Sequence, residues 1–434
     1  MPHLIWQTAV MTNSTRPTCP VDLADPEVFR HGFPHAEFTR LRQESPVSWL
    51  PLDGFDLGVA GDEGCWILTK HADVQATNRD ADRFSAYHGP SIAVVDGFPG
   101  NMLVALDGND HTRLRRLVSA GFTPRMIAHL EERARRWATS IIDRALEAGR
   151  CEFVNEVAYQ LPMHMIADIV GIPVVDRDWL FTLTKKFLQG GEEFETPGEQ
   201  FAVQFEMFEY AQTLGREKRA NPADDVWTTL TTVEIETDDG QRTSLSEIEL
   251  DMFFLLLTVA GSETTRSAIA GGVHALIEHP EQMAALRSIV AAGGGVQAPA
   301  LRTAVDEIIR WTSPVSYFAR RAMSDVELRG VTIAAGERVT LWYPSANRDD
   351  DEFDRPFEFD LTRTPNHHVS FGGGGPHYCL GANLAKMEIA LFFDEFCRRV
   401  ADIEPLAAPT YTPLSIMNPI TLAMTEFPVE ITAA

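Results

Sequence analysis

The sequence lacks the closely spaced cysteine pairs that are typical of zinc sites and disulfide frameworks. Its five cysteines are far apart in the chain, and no CxxC motif occurs: Cys19, Cys65, Cys151, Cys379 and Cys397. Small disulfide-bonded secreted domains instead carry dense, even sets of cysteines. We therefore expect a protein of the reducing cytoplasm with free thiols.

The chain also lacks a hydrophobic run long enough to cross a bilayer. Its most apolar stretch, Met252 to Gly261, lies between Asp251 and Glu263. A transmembrane helix needs about 20 apolar residues. The first 20 residues likewise lack the pattern of a signal peptide. We expect no membrane span, and we interpret the apolar stretch as part of a buried core helix.

Positive charge is scarce relative to negative charge. Lys and Arg total 37 against 62 Asp and Glu, which gives a formal net charge of -25. Binding to phosphate backbones needs a basic surface, so nucleic acid is disfavoured as a main partner. An anionic membrane surface is disfavoured for the same reason.

The overall composition is that of an ordinary globular protein, with 44% hydrophobic and 23% charged residues. Helical spacing dominates, with strand-like pairs near residues 49–69 and 326–342 and helical spacing over 110–150. The clearest element is a long helix from Ser246, where Glu249 completes a capping box, to a stop at Pro280. No linker stands out. We predict a mainly α protein with small β-sheets, made of one domain over residues 23–434 after an irregular extension at residues 1–22.

Cys379 follows four consecutive glycines and opens a helix. Glycines let backbone N–H groups converge, and a helix N-terminus carries positive partial charge, so both favour a thiolate. From these residues alone, three interpretations stay open. Cys379 is an inert buried cysteine, a nucleophile paired with His377, or a ligand of a metal or haem.

Three further patterns are weak when each is taken alone. Glu263 and Thr264 place an acid and an alcohol in the apolar helix beside Gly261, which leaves room for a small ligand. Glu307 and Arg310 form an E-x-x-R pair, a spacing that recurs elsewhere in the chain by chance. His111 and Arg115 share one helix face and suit an anion.

The order of these motifs along the chain is informative. The acid–alcohol helix comes first, then E-x-x-R, and the cysteine loop follows 72 residues after Glu307 and continues through Gly381-Ala382-Asn383-Leu384-Ala385. With these motifs in this order, the sequence resembles bacterial cytochromes P450, the haem-thiolate monooxygenases, along nearly its whole length. The resemblance implies the single-domain P450 fold, with the long central helix running through the core.

The resemblance also implies roles for individual residues. Cys379 would be the axial ligand of the iron of haem b, and Glu307 with Arg310 a structural ion pair. Thr264 would hold dioxygen, the co-substrate, with an ordered water, and Glu263 would relay protons from solvent. The haem carboxylates and ring would be contacted by a larger set of residues: His111, Arg115, Arg320 and His377 for the carboxylates, and Ala260, Gly261, Phe371 and Gly372 for the ring. Arg321 adjoins Arg320 and leaves that assignment ambiguous.

The sequence contains neither a flavin fingerprint nor the cysteine spacing of an iron–sulfur protein. Electrons from NAD(P)H must then arrive through separate proteins, which the resemblance identifies as a ferredoxin and a ferredoxin reductase. Arg113 and Arg116 are candidates for receiving the acidic ferredoxin. We expect the enzyme itself to be a monomer.

The residues expected at the substrate are largely apolar and include Leu256, Val259, Val315, Phe318, Ile416 and Met417. Phe371 lies eight residues before Cys379, one more than is usual in the family. This longer loop resembles that of bacterial enzymes that hydroxylate sterol side chains and branched lipids. We expect a steroid, isoprenoid or branched-lipid substrate. A monoterpene or aromatic hydrocarbon is the alternative, and a haem-binding protein without turnover is the alternative from another class.

Overall fold

The fold is known from a computed structural model that describes residues 16–59, 62–94, 100–122, 124–193, 197–236, 240–412 and 421–434. Its helices are α1 (His35–Glu44), α2 (His71–Arg79), α3 (Gly108–Ser119), α4 (Pro124–Ala148), α5 (Gln160–Val170), α6 (Val174–Glu193), α7 (Pro197–Ala220), α8 (Val226–Thr232), α9 (Glu247–Glu278), α10 (Pro280–Ala291), α11 (Pro299–Thr312), α12 (Tyr343–Ala346) and α13 (Ala382–Arg399). Short 3₁₀ turns cover Pro26–Phe29, Leu103–Ala105 and Gly295–Gln297, and a π-helical turn covers Val154–Ala158.

The strands form small sheets at the edge of the helical body. They are β1 (Val47–Pro51), β2 (Gly64–Leu68), β3 (Phe84–Ser85), β4 (Arg150–Glu152), β5 (Ile235–Glu236), β6 (Arg242–Thr243), β7 (Tyr317–Ala322), β8 (Val326–Leu328), β9 (Val331–Ile333), β10 (Arg338–Trp342), β11 (Val400–Pro405), β12 (Thr410–Tyr411), β13 (Met424–Glu426) and β14 (Pro428–Ala433). The largest sheet has the order β1-β2-β10-β7-β3, and a second has the order β11-β14-β4. The predicted mainly α architecture with small sheets is confirmed.

The central helix α9 has the expected N-terminus. The Ser246 side chain accepts a hydrogen bond from the Glu249 N–H, and the Glu249 carboxylate accepts one from the Ser246 N–H. Its apolar centre, including Phe254 and Leu255, is buried, and α5, α7, α11 and α13 pack around it. None of the helices within the described ranges is both long and apolar enough to cross a membrane.

The helical spacing predicted over 110–150 is confirmed, and it is divided between α3 and α4, because the chain turns between these two helices. Gly121 in this turn lies so close to Val226 that an added Cβ would be 2.7 Å from Val226 Cγ1. The strand pair predicted near 326–342 is correct in part. Only β8 and β9 pair with each other, whereas the fully buried β10 pairs with β7 and β2 in the large sheet.

The N-terminal segment is irregular but packed where it is described. Thr18 forms a parallel bridge with Trp49, and Cys19 and Val21 are buried against the large sheet. Arg16 makes an ion pair with Glu337 at 2.6 Å. Residues 1–15 of the expected extension lie outside the described part. The domain boundary at residue 23 therefore stays a prediction.

Candidate active site

One large cavity lies between α9 and the glycine-rich loop that precedes α13. The space between its lining atoms is about 1550 Å³, part of it open to solvent. Residues of α2, α3, α5, α11 and β7 complete its walls. The cavity thus collects residues from most of the chain at the place where the central helix passes the cysteine loop.

The glycine loop holds Cys379 on one wall of this cavity. Gly372, Gly373, Gly374 and Gly375 all have positive φ, between 66° and 107°, which side chains rarely adopt. Gly375 also packs against α2, where an added Cβ would lie 2.4 Å from the Asn78 carbonyl oxygen. The loop then ends in a hydrogen bond of 3.1 Å from the Cys379 N–H to the Phe371 carbonyl. Both the close packing and the backbone geometry therefore require glycine here.

The Cys379 side chain is exposed to the cavity, although protein atoms surround the site on its other sides. Burial raises its pKa, whereas a hydrogen bond from the Gly381 N–H and the nearby charge of Arg115 oppose that rise. Arg115 is fixed by a 2.6 Å hydrogen bond from its Nη2 to the Tyr378 carbonyl. The N–H donor and the guanidinium both stabilise negative charge on the sulfur, as a thiolate ligand requires.

A basic edge forms beside the cysteine, and it contains the four predicted carboxylate-binding residues His111, Arg115, Arg320 and His377. The His111 and His377 rings lie 4.4 Å apart between centroids. His111 Nε2 is buried without a hydrogen-bond partner among the described residues, whereas His377 Nε2 faces Asp107 Oδ1 at 3.6 Å. Burial, with His377 and Arg115 nearby, lowers the pKa of His111 to about 4.

The ambiguity between Arg320 and its neighbour is resolved. Arg321 points away from the cavity and binds Asp62 through two hydrogen bonds, of 3.1 and 2.8 Å. Arg320 lines the cavity and is buried, and burial lowers its pKa. Arg320 is therefore the arginine of this pair that faces the cavity.

Two residues that the sequence did not single out hold Arg320 in place. Arg320 Nη2 donates to Asn78 Oδ1 at 3.2 Å, and Asn78 Nδ2 donates to the Tyr343 hydroxyl at 3.2 Å. Asn78 and Tyr343 are buried and line the cavity. They come from α2 and α12, more than 200 positions apart, so no local pattern in the sequence links them.

The central helix contributes a hydroxyl to the cavity and an acid beside it. Thr264 lines the cavity, and its Oγ1 donates to the Ala260 carbonyl at 2.9 Å. Glu263 is not among the lining residues. It is buried and makes an ion pair with Arg266 on the next turn of the helix. The E-x-x-R spacing of this pair is visible in the sequence and would have predicted it.

The second acid–base pair lies outside the cavity. Glu307 and Arg310 are fully buried and joined by two hydrogen bonds of 2.7 Å. Arg310 also donates to the carbonyls of Asn347 and Pro356, and Glu307 accepts from the Asp360 N–H. These bonds connect α11 to the irregular segment before the glycine loop, which agrees with a structural role.

The remaining predicted positions fall into three groups. Ala260, Gly261, Phe371 and Gly372 line the cavity, as do Leu256, Val315 and Phe318. Val259 is half-buried against the core and is not among the lining residues. Ile416 and Met417 lie outside the described residues. Leu103, at the end of the loop over 91–103 that was also expected at the substrate, lines the cavity too. Apolar lining residues that the sequence did not single out come mostly from α5 and α9: Phe122, Ile166, Ile169 and Phe253.

This donor set fits haem b. Haem has an apolar ring, an iron that accepts a thiolate and two carboxylates that need cationic or N–H donors. The cavity offers Cys379 on one wall, an apolar lining, and a basic edge with two arginines and two histidines, of which His111 keeps a buried Nε2 without a partner among the described residues. Each part of the cofactor thus has chemically matching residues.

Comparison with known proteins agrees with this site. The family model described as "Cytochrome P450" matches residues 194–400. A steroid C26-monooxygenase of Rhodococcus jostii is 38% identical over 422 residues, which cover 94% of this chain and 86% of that protein. A methyl-branched lipid omega-hydroxylase of Mycobacterium tuberculosis is 43% identical over 387 residues, 86% of each chain.

Solved structures show the same fold. A Mycobacterium marinum cytochrome P450 in complex with pseudoionone matches with a TM-score of 0.85 and 34% identity, over 96% of this chain and 100% of the other. The sequence relatives extend this agreement well beyond the segment that the family model covers. The chain therefore belongs to the cytochrome P450 family and is a cytochrome P450 monooxygenase.

Proposed function

We propose that this enzyme hydroxylates a terminal methyl group on the side chain of a steroid or on a methyl-branched lipid. The observation that supports this most directly is the similarity to a steroid C26-monooxygenase and a methyl-branched lipid omega-hydroxylase over most of the chain. Both names describe attack on the end of an aliphatic chain. The same chemistry is proposed for this protein.

The lining of the cavity supports a hydrocarbon as the reacting part of the substrate. Among the lining residues that the structure describes, charged or basic side chains occur at the edge with Arg115, Arg320 and the two histidines, and at Glu388 on α13. The side formed by α5 and α9 presents Ile166, Leu256 and similar residues. Such a wall binds an apolar chain and offers few groups to orient a polar one.

In this proposal the residues of the chain position the reactants. Cys379 would hold haem b, which when bound would supply the activation of O2 and the insertion of one oxygen atom into a C–H bond. The carboxylates of the haem would be held by Arg115, Arg320, His111 and His377. The apolar walls exclude water from the reacting carbon.

Thr264 and Glu263 handle protons. The Thr264 hydroxyl donates to Ala260 but keeps its oxygen lone pairs for an ordered water in the cavity. Glu263 is one residue away, yet its carboxylate is bound to Arg266. Proton delivery by Glu263 therefore requires that this ion pair opens, with the acid turning from Arg266 towards water.

Electrons are proposed to come from a ferredoxin that is reduced by NAD(P)H through its reductase. Of the two arginines suggested for docking, Arg113 is bound to Glu249 and is partly buried, whereas Arg116 is exposed. Arg116→Glu should slow reduction by an acidic ferredoxin, and Arg216→Glu, at an exposed position of α7, is the matched control. If ferredoxin reduced both variants at the same rate, Arg116 would not be part of the docking surface.

The substrate is tested by titration of the haem-loaded protein while its Soret band is recorded. The panel contains a sterol with an intact side chain, a steroid that lacks this side chain, a methyl-branched fatty acid and a monoterpene. We expect a high-spin shift with the sterol or the branched acid, a smaller one with the truncated steroid, and terminal alcohols as products. A shift with the monoterpene alone, or hydroxylation on the steroid rings, would contradict the proposal.

A further inference from the structure

A second cavity lies on the other side of α5, away from the haem cavity. The space between its lining atoms is about 780 Å³, and it is open to the surface. Three helices contribute to it: α4 with Arg133, Arg136, Trp137 and Ser140, α5 with Asp168, and α6 with Val174 and Arg177. Ile166 and Ile169 of α5 face the haem cavity, so one helix separates the two sites.

The lining of this second cavity is basic in a strongly acidic protein. Three arginines face a single carboxylate, whereas the whole chain has a net charge of -25. That carboxylate, Asp168, already accepts hydrogen bonds from Trp137 Nε1 at 2.9 Å and from Arg177 Nη2 at 2.7 Å. Asp168 is thus already bound within the protein, and the three arginines outnumber it, so the lining has an excess of positive charge.

Arg177 provides a buried cation in the wall of the cavity. Only 8% of this residue is exposed. Its Nε and Nη2 both donate to the Ile172 carbonyl, but Nη1 has no hydrogen-bond partner among the residues that the structure describes. A buried N–H group without an acceptor is costly, so Arg177 favours a negative charge close by.

Two exposed arginines, Arg133 and Arg136, lie at the mouth of the cavity. Arg133 has Asp168 as a charged neighbour, with 3.9 Å between Arg133 Nη1 and Asp168 Oδ1, which is too long for a hydrogen bond. Arg136 binds Glu132 at 2.6 Å, but both side chains are largely exposed, and such pairs contribute little. Both guanidinium groups are therefore available to a ligand at small cost.

The first turn of α6 completes the site. Val174, the first residue of this 20-residue helix, lines the cavity, so the positive end of the helix dipole lies there. The acidic residue of that turn, Asp176, instead accepts a hydrogen bond from the Tyr210 hydroxyl at 2.9 Å. The helix terminus, the buried Arg177 and the two exposed arginines converge on one concave surface.

We propose that this cavity binds a multivalent oxyanion of the phosphate class. Guanidinium groups form paired hydrogen bonds with phosphate oxygens, and Arg133, Arg136 and the Ser140 hydroxyl supply donors at the mouth of the cavity. The ligand is either a soluble phosphate or the headgroup of an anionic lipid, since both present the same chemistry.

Calorimetric titration of the haem-loaded protein with inorganic phosphate tests this proposal. The variant Arg133→Ala/Arg136→Ala removes the exposed donors, and Arg150→Ala/Arg216→Ala removes the same charge from exposed positions on other surfaces. We expect saturable binding that the first variant weakens by about tenfold or more, as loss of one charge-assisted hydrogen bond implies. The control variant should stay within about twofold of the parent.

Sedimentation with vesicles distinguishes the two sources of phosphate. If a headgroup is the ligand, the parent should sediment with vesicles of phosphatidylcholine and phosphatidic acid, whereas Arg133→Ala/Arg136→Ala should stay in the supernatant. Binding of inorganic phosphate without vesicle retention would assign a soluble ligand. The proposal is overturned if the parent shows no saturable binding of either probe, or if the two double variants bind phosphate equally.

Discussion

Arg266 and Glu263 form a buried ion pair across one turn of the central helix, with Arg266 Nη2 bound to Glu263 Oε1. Arg266 also lies near Tyr159, 5.8 Å from the centroid of its ring. The acid proposed to deliver protons is therefore held by a cation of its own helix, directly beside the cavity that Thr264 lines.

Removing this cation should destabilise the fold, because the buried Glu263 carboxylate loses its ion-pair partner. Arg266→Leu leaves a buried carboxylate without its partner, which costs about 3–5 kcal/mol. We expect a clear loss in the free energy of unfolding by denaturant. The double variant Glu263→Gln/Arg266→Leu should recover part of it, because no charge remains unpaired. A double variant no more stable than Arg266→Leu would contradict this.

Thr264→Ala tests the proposed role of the hydroxyl. The variant should bind haem and substrate like the parent, but much of the consumed O2 should appear as hydrogen peroxide instead of hydroxylated product. Thr264→Ser keeps the hydroxyl and is the matched control. The ratio of product to NAD(P)H oxidised measures the effect, and fully coupled turnover in Thr264→Ala would exclude the role.

Asn78 should position Arg320 for a haem carboxylate. Asn78→Leu removes the acceptor of the 3.2 Å hydrogen bond from Arg320, and we expect haem to dissociate about tenfold faster, as loss of a hydrogen bond to a charged group implies. Tyr343→Phe, which frees only the Asn78 amide, should have a smaller effect in the same direction. The reduction potential is a second readout, because a displaced guanidinium changes the charge near the haem. Unchanged haem release and potential in Asn78→Leu would contradict the assignment.

His164 should make the fold sensitive to acid. Burial lowers its pKa to about 4, with Arg177 and Arg144 acting in the same direction, and the ring stacks on Trp137 at 3.8 Å. An unfolded histidine has a pKa of about 6.5, so the unfolded state binds the proton first. The contribution to stability is complete above about pH 6.5 and falls as the pH drops towards 4.

Denaturant unfolding of His164→Gln across this pH range measures the effect. The variant should lose less stability between neutral and acidic pH than the parent does, whatever its stability at neutral pH. His31→Gln, at an exposed histidine, is the control and should follow the parent. Parallel pH dependence in His164→Gln and the parent would exclude His164 as a source of the acid sensitivity.

Much of the fold and of the site could be predicted from the sequence because its strongest features are local. The capping box at Ser246 and the apolar centre of α9 predict the central helix, and the glycines before Cys379 predict a tight loop at a helix start. The parts that could not be predicted depend on distant contacts. The pairing of β10 with β2 joins segments more than 250 residues apart, and the contact of Asn78 with Arg320 spans 242 positions.

The most direct test of the account is the carbonyl difference spectrum of the dithionite-reduced, haem-loaded protein, measured for the parent and for Cys379→Ala. The parent should show the red-shifted Soret band that thiolate ligation gives, and Cys379→Ala should lose it even if haem is still bound. The absence of this band in the parent, or its persistence in Cys379→Ala, would contradict the assignment of Cys379 as the haem ligand.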